Sequence, residues 1–346
     1  MAPLLFFPDK SFGIFYILFF TLFGINKYFS KCNNYALIWL IPISIPFFLR
    51  FILNGFLISE LKELVKITMM VCLVHVSAVR GLFSLRYINA FFIINGVITY
   101  LQFFKIPYHD ILTNIYIQKN HAIALTWDSV RASGLFSDSA SNGVVNLFIF
   151  FLYFRLSKNV FAFGSSTVIL FSQSKTAILS MILYVFLVVS YRSRIYLISA
   201  LSGGLLYFKE IIFVRFSQLR SLVENGLGNS SFEARIDNWK YLLNISQNNL
   251  ANLLIGPGRS EIEMNGHKSS VLDSDYIYIL VNFGGLGVIS FLLCTIYILI
   301  SSHVYRKEIL AILTLSFALT PLFMPRTFIW LFAVYYVYDL DSSKLQ

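Results

Sequence analysis

Long apolar runs, separated by short basic stretches, recur along this chain and leave little freedom of fold. A helix crosses a bilayer with roughly 20 apolar residues, and it does so because it satisfies its own backbone N–H and C=O groups where water cannot reach. Eleven runs are candidates: 11–26, 35–58, 64–79, 86–104, 141–156, 160–174, 176–190, 195–209, 278–302, 308–323 and 326–340. Several are shorter than a full crossing. Composition agrees with them. Of 346 residues, 57% are hydrophobic and only 13% charged, against about 25% charged in a soluble domain. Mean hydropathy is +0.72. Too little polar surface remains to cover a water-soluble particle, which excludes a soluble enzyme, a disordered tail and a secreted disulfide scaffold. The expected fold is an all-α polytopic membrane protein, a single integral membrane domain over residues 1–346 with about eleven transmembrane helices. The first run lacks a small-residue cleavage site and is expected to remain as a span.

Lys and Arg total 27 against 17 Asp and Glu, a formal charge of +10. The cations come in pairs between apolar runs, a pattern that sets membrane topology and does not suggest nucleic acid. Lys27 and Lys31, Arg80 and Arg86, Arg155 and Lys158, Arg192 and Arg194, and Arg306 and Lys307 occupy alternate short loops. These loops are predicted to be cytoplasmic, with the C-terminus inside and the N-terminus outside. The run at 35–58 contains Pro42, Pro46 and Arg50. A kink is expected there, with Arg50 facing protein or water. Two long hydrophilic segments, 105–140 and 210–277, then fall on the outer, periplasmic side. Long loops are costly to order and commonly carry function.

The second loop is expected to be partly helical. Ser230-Ser231-Phe232-Glu233 matches a capping box, and Phe232, Ile236, Trp239, Tyr241 and Leu243 supply apolar bulk. Arg235 and Trp239 lie four residues apart on one face. They read either as a guanidinium stacked on an indole or as an arginine held by that stacking and aimed at an anion. Further on, Gly256-Pro257-Gly258-Arg259 forces a tight turn. Such a turn closes a loop, or lets backbone N–H groups approach a ligand. Asp273 and Asp275, just before the next run, suit either a general base or a helix N-cap. The first loop ends Arg131-Ala132-Ser133-Gly134-Leu135-Phe136-Ser137-Asp138-Ser139, with Asp138 or Ser139 as the expected cap. Lys175, between two short runs on the outer side, departs from the topology pattern. A charge in that place needs a partner or water, which makes it a functional candidate.

No Walker loop, no H-E-x-x-H motif and no Cys/His cluster is present. The five histidines, at 75, 109, 121, 267 and 303, are scattered, and His75 within a run reads as a packed residue. Cys32, Cys72 and Cys294 suggest no disulfide framework. Neither a metal nor a cofactor is expected.

The pieces occur in a familiar order. An outer-loop Arg131 precedes Gly134, Phe136 and Asn142. Ser174-Lys175-Thr176 opens a span. Arg235-x-x-x-Trp239 precedes Gly256-x-Gly258. Asp273 to Tyr276 leads to Gly284 to Gly287. In this the chain, over roughly residues 125 to 300, resembles the Wzy-type O-antigen polymerases and their wider superfamily with the O-antigen ligases. It departs twice: Lys175 stands where arginine is usual, and Asp273-Ser274 replaces the ligase-type His-Asn, which argues against the ligase branch.

The resemblance implies a metal-independent, lipid-linked glycosyltransferase in the bacterial inner membrane. Such an enzyme moves a growing glycan from undecaprenyl pyrophosphate to a sugar hydroxyl of the next lipid-linked repeat unit on the periplasmic face. Its implied partners are that lipid-linked oligosaccharide, the bilayer, and a chain-length regulator and flippase of the same pathway. Departure of a lipid pyrophosphate calls for concentrated positive charge, and the planar fork of arginine suits phosphate. Arg131, Lys175, Arg235 and Arg259 are the cations expected to gather, and Asp273 or Asp275 the candidate base. Arg131, Arg235, Asp273 and Asp275 are thus the catalytic candidates. Lys175, Trp239, Gly256, Gly258, Arg259 and Asn142 are the substrate-binding ones. The alternatives are a ligase-like glycan transferase, or a flippase or transporter, which would show paired repeats, broken helices and charges deep in the bundle.

Overall fold

The computed structural model describes residues 44–53, 58, 60–68, 84–104, 106, 132–136, 138–188, 231–258, 262, 274–301, 305–316, 319, 322 and 325–342. The side chains of 231–235, 298, 301, 325, 326, 332, 336 and 339–342 are not described. The described residues are mostly helical and contain no strand. In chain order the helices are α1 (Ser44–Leu53), α2 (60–68), α3 (Leu85–Phe103), α4 (Ser139–Arg155), α5 (Asn159–Ser172), α6 (Lys175–Val188), α7 (Ser231–Gln247), α8 (Leu250–Ile255), α9 (Asp275–Ser301), α10 (Arg306–Ser316) and α11 (Pro325–Ser342). Helices α3 to α6, α9 and α11 begin and end within three residues of expected runs. Residues 231–247 are helical as expected, while Ser230, the expected cap, lies outside the described residues. The runs at 11–26 and 195–209 lie outside the described residues. By length and composition, Asp275–Tyr297 is the one helix among the described residues long and apolar enough to cross a membrane; α1, α5 and α6 are apolar but shorter.

Two elements depart from expectation. Helix α10 ends at Ser316 instead of 323. A longer helix would carry Pro321 in its interior, where the ring blocks a backbone hydrogen bond. The turn beyond α10 is instead tied to α9: Leu319 O accepts from Asp275 N (3.1 Å). Helix α2 is already formed at Glu60, although the run was expected to begin at 64. Its two acidic residues, Glu60 and Glu63, are buried against Arg50 and Tyr278 and are satisfied there.

The core lies among α3, α4, α5, α6, α10 and α11, with α4 at its centre. Thirteen consecutive residues of α4, Ser141 to Tyr153, are buried, so it is covered on every side. Helices α3 and α5 approach closely through small residues: a Cβ on Gly164 would lie 3.0 Å from the Phe92 ring, and one on Gly96 3.7 Å from Val168. Glycine at a helix contact brings backbones together. A second, smaller core joins α7 to the first half of α9 through Leu242, Ile245, Ile262, Tyr278 and Val281.

At the end of α4 predicted to be cytoplasmic, Arg155 forms a two-pronged ion pair with Glu308 of α10, Nη2 to Oε2 being 2.7 Å. Tyr184 of α6 donates to the same carboxylate (2.8 Å). Tyr305 and Tyr338 cover the guanidinium at 4.8 and 5.1 Å. One charge pair, its carboxylate buried and its guanidinium half-buried, therefore ties α4, α6, α10 and α11. Arg306 nearby donates to Leu299 O and Ile300 O, satisfying carbonyls at the end of α9.

Candidate functional site

Three segments singled out from the sequence meet at one end of the larger core: 132–136, the start of α4, and the corner 172–175. Asp138 caps α4, accepting from Ser141 N (2.7 Å) and Ser141 Oγ (2.7 Å). The next turn presents Asn142, which is fully buried at 0% exposure. Asn142 Oδ1 accepts from Asn95 Nδ2 (2.9 Å) and Asn146 Nδ2 (2.8 Å). Its Nδ2 donates to Thr99 Oγ1 (3.2 Å) and Ala132 O (3.1 Å). Both lone pairs and both N–H groups are thus used within the protein. Asn142, expected to bind substrate, is in this structure a group that holds the loop.

Gly134 needs to be glycine for two reasons. Its φ is +58°, the left-handed region. A Cβ there would also lie 2.3 Å from Asn95 Oδ1, 2.8 Å from Thr99 Oγ1 and 3.0 Å from Asn142 Oδ1. Gln102 accepts from Gly134 N (2.7 Å), and Asn95 Oδ1 accepts from Leu135 N (2.8 Å). Phe136, also fully buried, packs edge-on to Phe91 at 5.9 Å. The residue after Arg131 is pinned as well: Ala132 N donates to Phe171 O (3.3 Å). Two residues beyond Phe171, Gln173 takes a left-handed conformation (φ 51°) and ends α5. Lys175 then opens α6 and is exposed. A Cβ on Gly143 would meet Ser174 Cβ at 2.6 Å and Ser172 Oγ at 2.9 Å, so α4 begins directly against this corner. Helix N-termini and lysine both favour anions. Arg131 itself lies outside the described residues.

The second group surrounds the Gly-Pro-Gly turn. Gly256 (φ +82°) and Gly258 (φ +76°) are buried. A Cβ on Gly256 would lie 2.3 Å from Val281 O, and one on Gly258 2.2 Å from Glu60 Oε1. The close approach that the turn permits is therefore occupied by the chain's own backbone and by Glu60. Helix α9 breaks at Gly284 (φ 64°, ψ −163°), where the backbone of Leu254 passes within 2.4 Å of a built Cβ. Asp275, at 0% exposure, accepts from Leu322 N (3.3 Å). Ser274 Oγ donates to Ser316 O (3.0 Å). The Asp275 carboxylate thus holds the turn beyond α10. Asp273 and Arg259 lie outside the described residues.

Trp239 sits half-buried on α7, and its indole N–H finds no acceptor among the described residues. Arg235 lies one turn earlier on the same helix; its side chain is not described. The structure brings Asn142 to the Lys175 corner and to the chain after Arg131, sets Gly256 against Val281 in the first half of α9, the helix that Asp275 opens, and sets Gly258 against Glu60 and Arg50. Helix α10 joins the two groups, packing on α6 and on α9.

The amide cage was missed in the sequence. Asn95, Thr99 and Gln102 fall at i, i+4 and i+7 within an apolar run, and Asn142 and Asn146 at i and i+4; helical periodicity applied to polar residues would have found both stripes. Among the described residues no three His, Cys, Asp or Glu side chains gather as a metal site requires. No protein-family model, curated protein or solved structure matches the chain.

Proposed function

We propose that the chain is a bacterial inner-membrane protein of about eleven spans, and that it polymerises surface polysaccharide as the Wzy-type O-antigen polymerases do. The supporting observation is the hydrogen bond from Ala132 N to Phe171 O. It sets Ala132, the residue after Arg131, beside the last turn of α5, four residues before Lys175, which supports a reading in which both cations serve the pyrophosphate. In the proposed reaction the acceptor hydroxyl attacks the anomeric carbon of the donor. The bond from that carbon to the pyrophosphate oxygen breaks as the new glycosidic bond forms. The hydroxyl proton passes to a base, and lipid pyrophosphate departs with its charge met by Arg131, Lys175, Arg235 and Arg259. Stabilising a developing charge with fixed cations is commonly the largest catalytic contribution.

A transporter reading draws on the break in α9 and the buried Arg50–Glu60 pair, both marks of that class. The Arg50 charge is, however, neutralised by a carboxylate and spent on two backbone carbonyls, which leaves it poorly suited to carry an ion. The test is the lipopolysaccharide of a deletion strain. Loss of a polymerase leaves lipid core bearing one repeat. Loss of a ligase leaves full chains on the carrier lipid, and loss of a flippase leaves single repeats trapped inside. Core with no repeat at all would exclude the proposal. Reporter fusions at Asn120 and Asn229 test the topology; a cytoplasmic signal at either site would overturn it.

A further inference from the structure

Helices α3 and α5 lie side by side. Phe92 of α3 meets Gly164, and one turn further Gly96 meets Val168, so the two helices run parallel and end on the same side, the one predicted to be periplasmic. Their inward faces are buried: Asn95, Thr99 and Gln102 on α3, Ser165 and Ser172 on α5. The opposite edge of the seam is open. Helical spacing sets Ile93, Tyr100 and Phe104 along it on α3, and Phe163, Thr167 and Phe171 on α5. Ile93, Tyr100, Phe104 and Phe163 are exposed, and Thr167 and Phe171 partly so. Gly96 keeps the floor of this groove low. Outside its own helix, and among the described residues, a Cβ there would touch only Val168, at 3.7 Å. Four rings wall the outer end. Phe103 and Phe171 stack face to face (centroids 4.3 Å apart, planes at 16°), and Tyr100 and Phe104 stand 6.2 and 5.7 Å from Phe171. Four residues beyond Phe171 the chain presents the exposed Lys175.

We propose that the groove between α3 and α5 binds the chain of a polyprenyl pyrophosphate, with the isoprene units nearest the head against the four rings and the pyrophosphate toward Lys175. This deepens the polymerase reading and rests on it. The cation at the outer end calls for a ligand whose head is anionic. The composition of the rings excludes a simple interfacial anchor. Anchoring belts are built from Trp and Tyr, which carry a polar handle, whereas three of these four rings are Phe. Lipid tails are as apolar as the groove, so leaving the bilayer for it brings no hydrophobic gain. Selection must then come from shape. An isoprenoid chain carries methyl branches that pack on flat rings, and its double bonds leave it fewer torsions to freeze than a straight acyl chain of the same length.

The test uses the full-length protein in nanodiscs of phosphatidylethanolamine and phosphatidylglycerol. The probe is undecaprenyl pyrophosphate with a diazirine on an isoprene unit near the head, and labelled peptides are mapped by mass spectrometry after irradiation. Label should concentrate on residues 93–104 and 163–171. Excess unlabelled undecaprenyl pyrophosphate should remove it, and undecaprenol, which lacks the anion, should not. Tyr100→Ala combined with Phe104→Ala removes two half-exposed rings. It should lower labelling of the groove about three- to tenfold, the range that aromatic contacts of this kind imply, with Tm unchanged. Gly96→Leu should do the same by filling the floor; should that variant fail to fold, the ring variant decides. Label spread evenly over exposed faces, including Leu292, Leu293 and Ile296 of α9, would mean ordinary lipid contact and overturn the proposal. So would labelling of the groove that the ring variant leaves unchanged. The readout does not depend on activity. Wild-type protein that takes label in the groove yet fails to elongate a lipid-linked repeat unit overturns the polymerase reading and leaves the groove standing. Wild-type protein that takes no label there overturns the groove, whether or not it elongates.

Discussion

Replacing Asn142 by alanine separates a scaffold residue from a substrate contact. The side chain makes four hydrogen bonds, all to protein. Its removal leaves Asn95 Nδ2 and Ala132 O buried without these bonds, while Asn146 Nδ2 keeps the Asn142 carbonyl (2.8 Å) and the Thr99 hydroxyl is free to rotate. A buried polar group deprived of its partner costs about 1–3 kcal/mol, so the two clear losses cost about 2–6 kcal/mol. That is a large share of a typical stability of about 5–15 kcal/mol. The purified variant should unfold several degrees or more below the wild type in a thermal scan followed by tryptophan fluorescence. Elongation should fall with the folded fraction and with the loss of order at 132–136. An Asn142→Ala protein that unfolds at the wild-type temperature, yet loses elongation, would refute the scaffold argument and restore Asn142 as a substrate contact.

Gly134→Ala should be at least as damaging, since a side chain there combines left-handed backbone with overlap on three polar atoms; about 2–4 kcal/mol is expected from strain and lost hydrogen bonds, read in the same thermal scan. Glu308→Ala should cost about 3–5 kcal/mol by leaving Arg155 without its buried partner, and Arg155→Met together with Glu308→Met should recover much of that loss; equal Tm values for the single and double variants would refute the assigned role of the pair. Arg131→Ala and Arg235→Ala should each abolish long glycan chains while the protein remains in the membrane, with lysine restoring them only in part because it lacks the bidentate fork; normal ladders from both alanine variants would reduce these arginines to packing residues. Elongation should proceed in excess chelator without nucleotide, and a chelator-induced loss reversed by a divalent ion would show that the reaction needs a metal.

Helix placement was largely legible in the sequence, because an apolar run long enough to satisfy its own backbone has few other forms available. The bounds of α3, α4 and α5 and the start of α6 lie within three residues of the apolar runs read from the sequence, and Asp138 caps α4 as expected. Boundaries set by tertiary contact did not follow. Helix α10 stops early where the chain turns back to Asp275, and α2 starts early where Glu60 and Glu63 find partners 10 and 215 residues away.

The candidate site was legible as a set of segments and not as a geometry. Sequence spacing singled out Arg131, Gly134, Asn142, Lys175, Gly256 and Gly258, because glycine, amide and cation are unusual beside apolar runs. Their roles depend on residues far away in the chain: Asn142 is saturated by Asn95 and Thr99, 47 and 43 positions earlier. Gly258 is glycine because Glu60 lies against it, and Arg50 serves carbonyls 205 and 232 positions later. By itself the sequence determined where helices form, since local hydrogen bonding and apolar periodicity are short-range. Only the tertiary structure decided which polar groups are consumed inside the bundle, because a buried donor or acceptor is satisfied by whichever partner packing brings within about 3 Å.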